Sequence, residues 1–95
     1  MTTHNPPTVK HNSAINRFEL EQDGLMCKLV YRIRGKKMIF IHANVPPALE
    51  GRGLGSLLVR VALDYARANG LKVVPFCPFV RAYIRKHPEY QDLMR

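Results

Sequence analysis

Val45-Pro46-Pro47-Ala48-Leu49-Glu50-Gly51-Arg52-Gly53-Leu54-Gly55-Ser56 is the stretch from which the rest of the chain can be read. Pro46-Pro47 cannot continue a strand ladder, so the extended segment before it ends here. Three glycines then stand against an apolar series, Leu54, Leu57, Leu58, Val61, Ala62 and Tyr65, spaced i, i+3, i+4, i+7, i+8 and i+11. That is the period of a helix laid on a core, with Arg60, Asp64 and Arg67 on its opposite stripe. Gly70 offers a left-handed stop, and Lys72-Val73-Val74-Pro75-Phe76 follows as a short strand. Strand, glycine loop, helix and strand make one crossover unit. A right-handed connection brings the C-terminal ends of both strands to one sheet edge, where ligand clefts form.

Upstream, Met38 to Val45 is the strand that feeds the loop. It is apolar on both faces, so Met38, Phe40, Ile39, Ile41 and Ala43 are all expected in the core, with helices or other chain above and below. Gly35-Lys36 reverses the chain into a hairpin partner in which Cys27, Leu29, Tyr31 and Ile33 alternate with Lys28, Arg32 and Arg34. Before it, Phe18 and Leu20 alternate with Arg17, Glu19 and Glu21 and close on the turn signal Asp23-Gly24. Residues 1–13, with Asn5, Pro6-Pro7, Asn12 and Ser13, read as a flexible leader, and residues 14–95 as a single domain. Downstream, Pro78 opens a second helix with Cys77 at its N-cap. Phe79, Val80, Tyr83 and Ile84 are expected to face inward and Arg81, Arg85 and Lys86 outward, until Pro88 stops it. The fold class is α/β (α+β), with a mostly antiparallel sheet, one β-loop-α-β unit and a C-terminal helix.

Composition bounds the function. The chain has 95 residues, 15 Lys and Arg against 7 Asp and Glu, and a net charge of +8. Leu, Ile, Val and Phe number 10, 5, 8 and 4, enough for a folded core. A chain this short hides only about 60 to 65% of its unfolded surface, so a ligand belongs in an edge cleft rather than a large internal cavity. Cys27 and Cys77 are too few and too far apart for a disulfide framework or paired zinc ligands, so no metal is expected and a reducing, cytoplasmic setting is. No apolar run approaches the roughly 18 residues of a membrane span, and Met1 to Ser13 has no apolar stretch of the secretory kind.

Glycines directly before a helix leave its free N–H groups unobstructed at the positive end of the dipole, which suits a phosphate. Gly55 is followed by Ser56-Leu57 rather than by the Lys-Ser or Lys-Thr of a nucleotide-hydrolysing loop. The dinucleotide fingerprint fits no better: its third glycine would fall at Ser56, and Phe76 stands where an acidic ribose partner belongs. A pyrophosphate loop and a mere tight turn both remain open. Cys77, at a helix N-cap between Pro75 and Pro78, is either a nucleophile or a small buried hydrophobe. Cys27 suits the buried role. His42, beside Phe40, is either a satisfied core histidine or a base, and His87 suits an interaction with the end of its helix.

Taken together, the Val45 to Gly55 run, Val74-Pro75-Phe76-Cys77-Pro78-Phe79-Val80 and Tyr83-Ile84-Arg85-Lys86-His87-Pro88-Glu89-Tyr90 look like the small YjdJ-type branch of the GCN5-related N-acetyltransferase (GNAT) family, over roughly residues 15–93. The resemblance implies a minimal GNAT-like fold and acetyl-CoA as co-substrate. It implies that Gly51, Arg52, Gly53, Leu54, Gly55 and Ser56 hold the pyrophosphate through loop amides, and that Asn44-Val45 pairs with the pantetheine arm. Where the wider family starts this loop with Gln or Arg, this chain has Glu50. The resemblance further implies that Cys77 and His42 take part in acetyl transfer. In one route Cys77 is nucleophile or acetyl carrier and His42 the base. In the other the amine attacks acetyl-CoA directly, and Cys77 or Tyr83 protonates the departing CoA thiolate. The acceptor is an amine on a small molecule or a protein, and no membrane is involved.

The charge supports a competing class, a basic module for nucleic acid or acidic protein, built on Arg81, Arg85 and Lys86 and on the hairpin residues Lys28, Arg32, Arg34, Lys36 and Lys37. Nucleic acid is disfavoured because aromatic platforms and a groove-reading motif are missing, and the same charge suits the 3′-phosphate of CoA. A third class is a CoA-binding domain without catalysis.

Overall fold

Period-two alternation builds a five-stranded sheet in the computed structural model, which describes residues 7–95. The strands are β1 (Val9–Asn12), β2 (Arg17–Gln22), β3 (Leu25–Arg34), β4 (Lys37–Asn44) and β5 (Lys72–Pro75), and they lie in chain order. Helix α1 (Leu54–Ala68) joins β4 to β5, and α2 (Pro78–Lys86) follows, with 3-10 turns at Ser13–Ile15, Pro47–Leu49 and Pro88–Met94. β1 to β4 pair antiparallel and β4 with β5 parallel, as a helical crossover requires. The turns are those the residues demand: Asp23 and Gly24 both have positive φ, as does Gly35 in the next hairpin.

β1 corrects the expected leader. Residues 9–12 form a strand whose register sets Val9 against Leu20 and His11 against Phe18; residues 1–6 lie outside the described part. Backbone pairing with β2 and the stacking of His11 on Phe18 at 4.2 Å hold in place a segment with almost no aliphatic content.

All described helices pack on one face of the sheet. Phe18, Leu20, Cys27, Leu29, Tyr31, Met38 and Phe40 point to that face and share one buried cluster with Leu54, Leu58, Val59, Ala62, Leu63, Ala66, Val80 and Ile84. The buried face of α1 is wider than the expected stripe: Val59, Leu63 and Ala66 are fully buried, while Leu57, Val61 and Tyr65 are only partly so. α1 ends in a Schellman motif, with Leu71 N–H donating to the Ala66 carbonyl at 2.8 Å and Gly70 N–H to Arg67 at 3.3 Å. The C-terminal turn is tied to α1 by the Tyr90 hydroxyl, which donates to Asp64 Oδ1 at 2.7 Å, and by the Arg67–Asp92 pair. Burial, then the carboxylate of Asp64, push the Tyr90 hydroxyl up to about 12.

The opposite face is where the core expectation for β4 fails. Ile41 is 40% exposed, and Ile39 is only half-buried. With the helices all on the other side, the second apolar face of β4 has no layer to bury it. A bulge adds to this: Tyr31 opposes Phe40 and Val30 opposes His42, so Ile41 is left without a cross-strand partner. Past the bulge the alternation is reset. Ala43 turns toward the core opposite Leu29, and His42, expected beside Phe40 on a buried strand, is exposed opposite Val30.

Candidate functional site

The parallel pairing of β4 and β5 stops at Phe40 and Pro75, yet β4 runs on to Asn44. Cys77 N–H still donates to the Phe40 carbonyl at 2.9 Å, after which the chain turns into α2. From Ile41 to Asn44 the edge of β4 that faced β5 therefore has no strand beside it, and the two strands splay. Pro75 helps to end the pairing, since it has no N–H to give.

The N-terminus of α1 opens at the same end of the sheet. Gly51 and Gly53 have φ of 82° and 76°, a left-handed backbone that any side chain would strain. Gly53 is the N-cap and makes no side-chain bond to the first-turn N–H groups, and the first turn holds no acidic residue. Gly55 is needed for space: a Cβ there would sit 2.8 Å from Phe79 Cζ and 3.2 Å from Val45 Cγ2. Around these amides lies a cleft of about 380 Å3 lined by Val45, Leu49, Glu50, Gly51, Gly53, Leu54, Gly55, Ser56 and Phe79. Uncapped N–H groups, a positive helix end and a mostly apolar wall form a site for a phosphate on an apolar stem.

Most of the residues assigned to the cofactor meet here. Val45, Gly51, Gly53, Leu54, Gly55 and Ser56 line the cleft, and Asn44 is the last residue of the splayed strand. The Arg52 side chain turns away to Asp23 in the β2–β3 turn, at 2.8 Å, and its hydrogen bond holds the Asp23 carboxyl below the usual range. Two participants were not read from the sequence. Phe79, expected inward, is 43% exposed and forms a cleft wall over Gly55, because the N-terminus of α2 overhangs α1 at that point. Asp23 meets Arg52 through tertiary structure alone, 29 positions away, and no local pattern announces it.

The two residues proposed for the chemistry are placed differently. Cys77 caps α2 with extended backbone, and its side chain is 2% exposed within the core cluster. His42 is exposed on the open face, and among the described residues no hydrogen bond joins the two. Cys27 is wholly buried, and burial pushes its thiol up, as suits a core residue. Tyr83 is half-buried beside α1; burial raises its hydroxyl, partly offset by Arg60. His87 caps α2 as expected, its Nδ1 2.8 Å from the Tyr83 carbonyl and its ring stacked on Tyr83 at 3.9 Å. No helix among the described residues is long and apolar enough to cross a membrane.

A mostly antiparallel sheet with one splayed parallel pair and a glycine-capped crossover helix at the splay is an acetyltransferase architecture. It is shared with the NMR solution structure of a GCN5-like candidate N-acetyltransferase from Staphylococcus aureus, at a TM-score of 0.73 and 27% identity over 90% of this chain and 85% of that one. The profile described as GCN5-related N-acetyl-transferase matches residues 17–93, and the chain belongs to that family. It is 30% identical over 93 residues to Protein NATD1 of Mus musculus, covering 95% of this chain and 84% of the mouse protein. The Homo sapiens NATD1 matches at the same identity and length, with 82% of that protein covered.

Proposed function

We propose that this chain moves an acetyl group from acetyl-CoA to an amine, with the glycine-loop cleft and the splay as one continuous site. The observation that carries the reading is the coincidence, at one sheet end, of uncapped α1 amides and an unpaired β4 edge. Backbone N–H groups from Arg52 to Ser56 face the pyrophosphate, and the β4 edge at Asn44-Val45 takes the amides of the pantetheine arm as a further strand would. The bound co-substrate supplies an activated thioester.

Of the two routes, direct transfer suits the geometry better. Cys77 Sγ is buried, so as a carrier it would have to bond the thioester carbon and then expose it to the amine, whereas as an acid it need only come within hydrogen-bond reach of the leaving sulfur at the splay. The amine nitrogen attacks the thioester carbonyl, the carbon–sulfur bond breaks, and CoA leaves as a thiolate. Cys77 gives a proton to that sulfur, and His42 takes the proton lost by the amine.

Intact-protein mass after incubation with acetyl-CoA, with thermal shift against CoA in parallel, compares the native chain with Cys77→Ala. A ligand at about 100 times its Kd adds about 2.7 kcal/mol, a rise of roughly ten degrees or more for a domain this size. The expected result is CoA stabilisation of both proteins, no adduct, and slower turnover in the variant. An acetyl adduct lost in Cys77→Ala would move the reading to a covalent carrier. CoA stabilisation without transfer to any amine would leave a non-catalytic CoA-binding domain, and no response to CoA would return the protein to the basic-module class.

A further inference from the structure

On the open face of the sheet, a cleft of about 520 Å3 is lined by Arg32, Ile33, Arg34, Ile39, Ile41 and Phe76. Ile41 and Phe76 are 40% and 65% exposed and form with Ile33 and Ile39 an apolar patch of the kind that marks an interaction surface. Both lie at the splay: Ile41 precedes His42 on β4, and Phe76 precedes Cys77 after β5. The other end of the groove reaches Arg34 beside the β3–β4 hairpin turn, where Lys36 and Lys37 add charge. No carboxylate lines it.

We infer that this groove is the docking surface for the acceptor and that it takes an acidic, aliphatic-bearing protein segment, which delivers an amine to the splay. The inference rests on the acetyltransferase reading above. The floor of isoleucines and Phe76 asks for aliphatic side chains, and the two arginines ask for carboxylates beside them. A small metabolite would be left largely in water, since a bare sheet face supplies no walls to enclose it. Nucleic acid needs charge and stacking surfaces rather than an isoleucine floor, and Phe76 is the one aromatic side chain lining the groove. The larger cleft on the same face, around Glu19, Glu21 and Asp23, does not compete for the amine as a cation site. Glu19 is bonded by Arg17 and Asn12, Asp23 by Arg52, and Lys10 also lines the cleft, which leaves Glu21 as its one carboxylate with no hydrogen bond or ion pair among the described residues.

The probe is a short synthetic peptide alternating Glu and Leu around one lysine, set against a Lys-Leu peptide and a Glu-Ser peptide. Amide NMR shifts of the full chain read docking, and mass spectrometry reads acetylation of the lysine. The Glu-Leu peptide is expected to move the signals of Ile39, Ile41 and Phe76, to bind together with CoA and to be acetylated. Arg32→Glu with Arg34→Glu should weaken it roughly tenfold or more, with CoA binding unchanged. Phe76→Ala should raise KM for the peptide more than it lowers kcat. The assignment is overturned if the peptide moves no groove signals, if the Lys-Leu or Glu-Ser peptide binds as well, or if duplex DNA displaces it at equal affinity. Sedimentation showing a dimer that protects Phe76 would also overturn it, in favour of a second copy. CoA binding with no peptide docking removes the groove alone; peptide docking with no CoA binding removes the acetyltransferase reading and leaves the groove as an acidic-segment surface.

Discussion

The two faces of the sheet are built from one set of strands and do opposite things. On the covered face Phe18, Leu20, Leu29, Met38 and Phe40 are sealed beneath α1 and α2. On the open face Ile39 and Ile41 are just as apolar but stay half-buried or exposed, with Arg32 and Arg34 beside them. Hydrophobicity therefore marks two different things in β4. Where a helix layer exists it holds the fold together; where none exists it marks a surface awaiting a partner.

The sharpest way to break this contrast is to truncate neighbours on β4. Phe40→Ala leaves a cavity in the core and should lose about 3–5 kcal/mol in urea unfolding. An effect below about 1 kcal/mol would show that the covered face is not the stabilising one. Next in size, Gly53→Ala meets no atom within 4 Å, so its cost is the positive φ alone, about 1–2 kcal/mol. CoA-induced stabilisation should fall in the same variant, because the loop that aims the α1 amides relaxes; undiminished CoA binding would separate the loop from the site.

A pH titration probes the edge of the covered face. His11 is stacked on Phe18, edge-on to Tyr65 at 4.5 Å and hydrogen-bonded to the Tyr31 hydroxyl, and burial holds its pKa below 6.5. Below 6.5 the unfolded chain takes up a proton that the folded one resists. Stability is therefore full above that pH and declines as pH falls through 6.5 toward the folded value. His11→Gln should flatten this dependence; a native protein with level stability from pH 7.5 to 5 would dissolve the β1 clasp as a titrating element. The smallest effect belongs to the open face. Ile41→Ala should change stability by no more than about 0.5 kcal/mol while weakening the acidic probe peptide.

Local patterns carried much of this. The crossover from β4 through α1 to β5, the Gly70 stop, the Cys77 cap and the His87 end contact were legible because each depends on residues within a few positions of one another. The cleft was legible for the same reason, since Gly51, Gly53 and Gly55 announce backbone that must bend or make room. What the local pattern misses depends on neighbours brought in by the fold. β1 reads as leader because four residues with little aliphatic content show no strand signal until β2 is there to pair with. Ile41 reads as core and His42 as its buried neighbour because a strand apolar on both faces signals neither a missing helix layer nor a bulge that shifts the alternation by one.

By itself the sequence determined the period of β2, β3 and α1, the turns, the glycine loop and the order strand, loop, helix, strand, since these rest on φ, ψ and side-chain spacing along the chain. Only the tertiary structure decided which face of β4 is covered, where β4 and β5 part, that Asp23 holds Arg52, and that Cys77 is sealed while His42 is open. Those outcomes depend on which surfaces meet across the fold. A chain of this length has enough helix to bury one side of its sheet, and the pattern of β4, apolar on both sides, is silent on which side that will be.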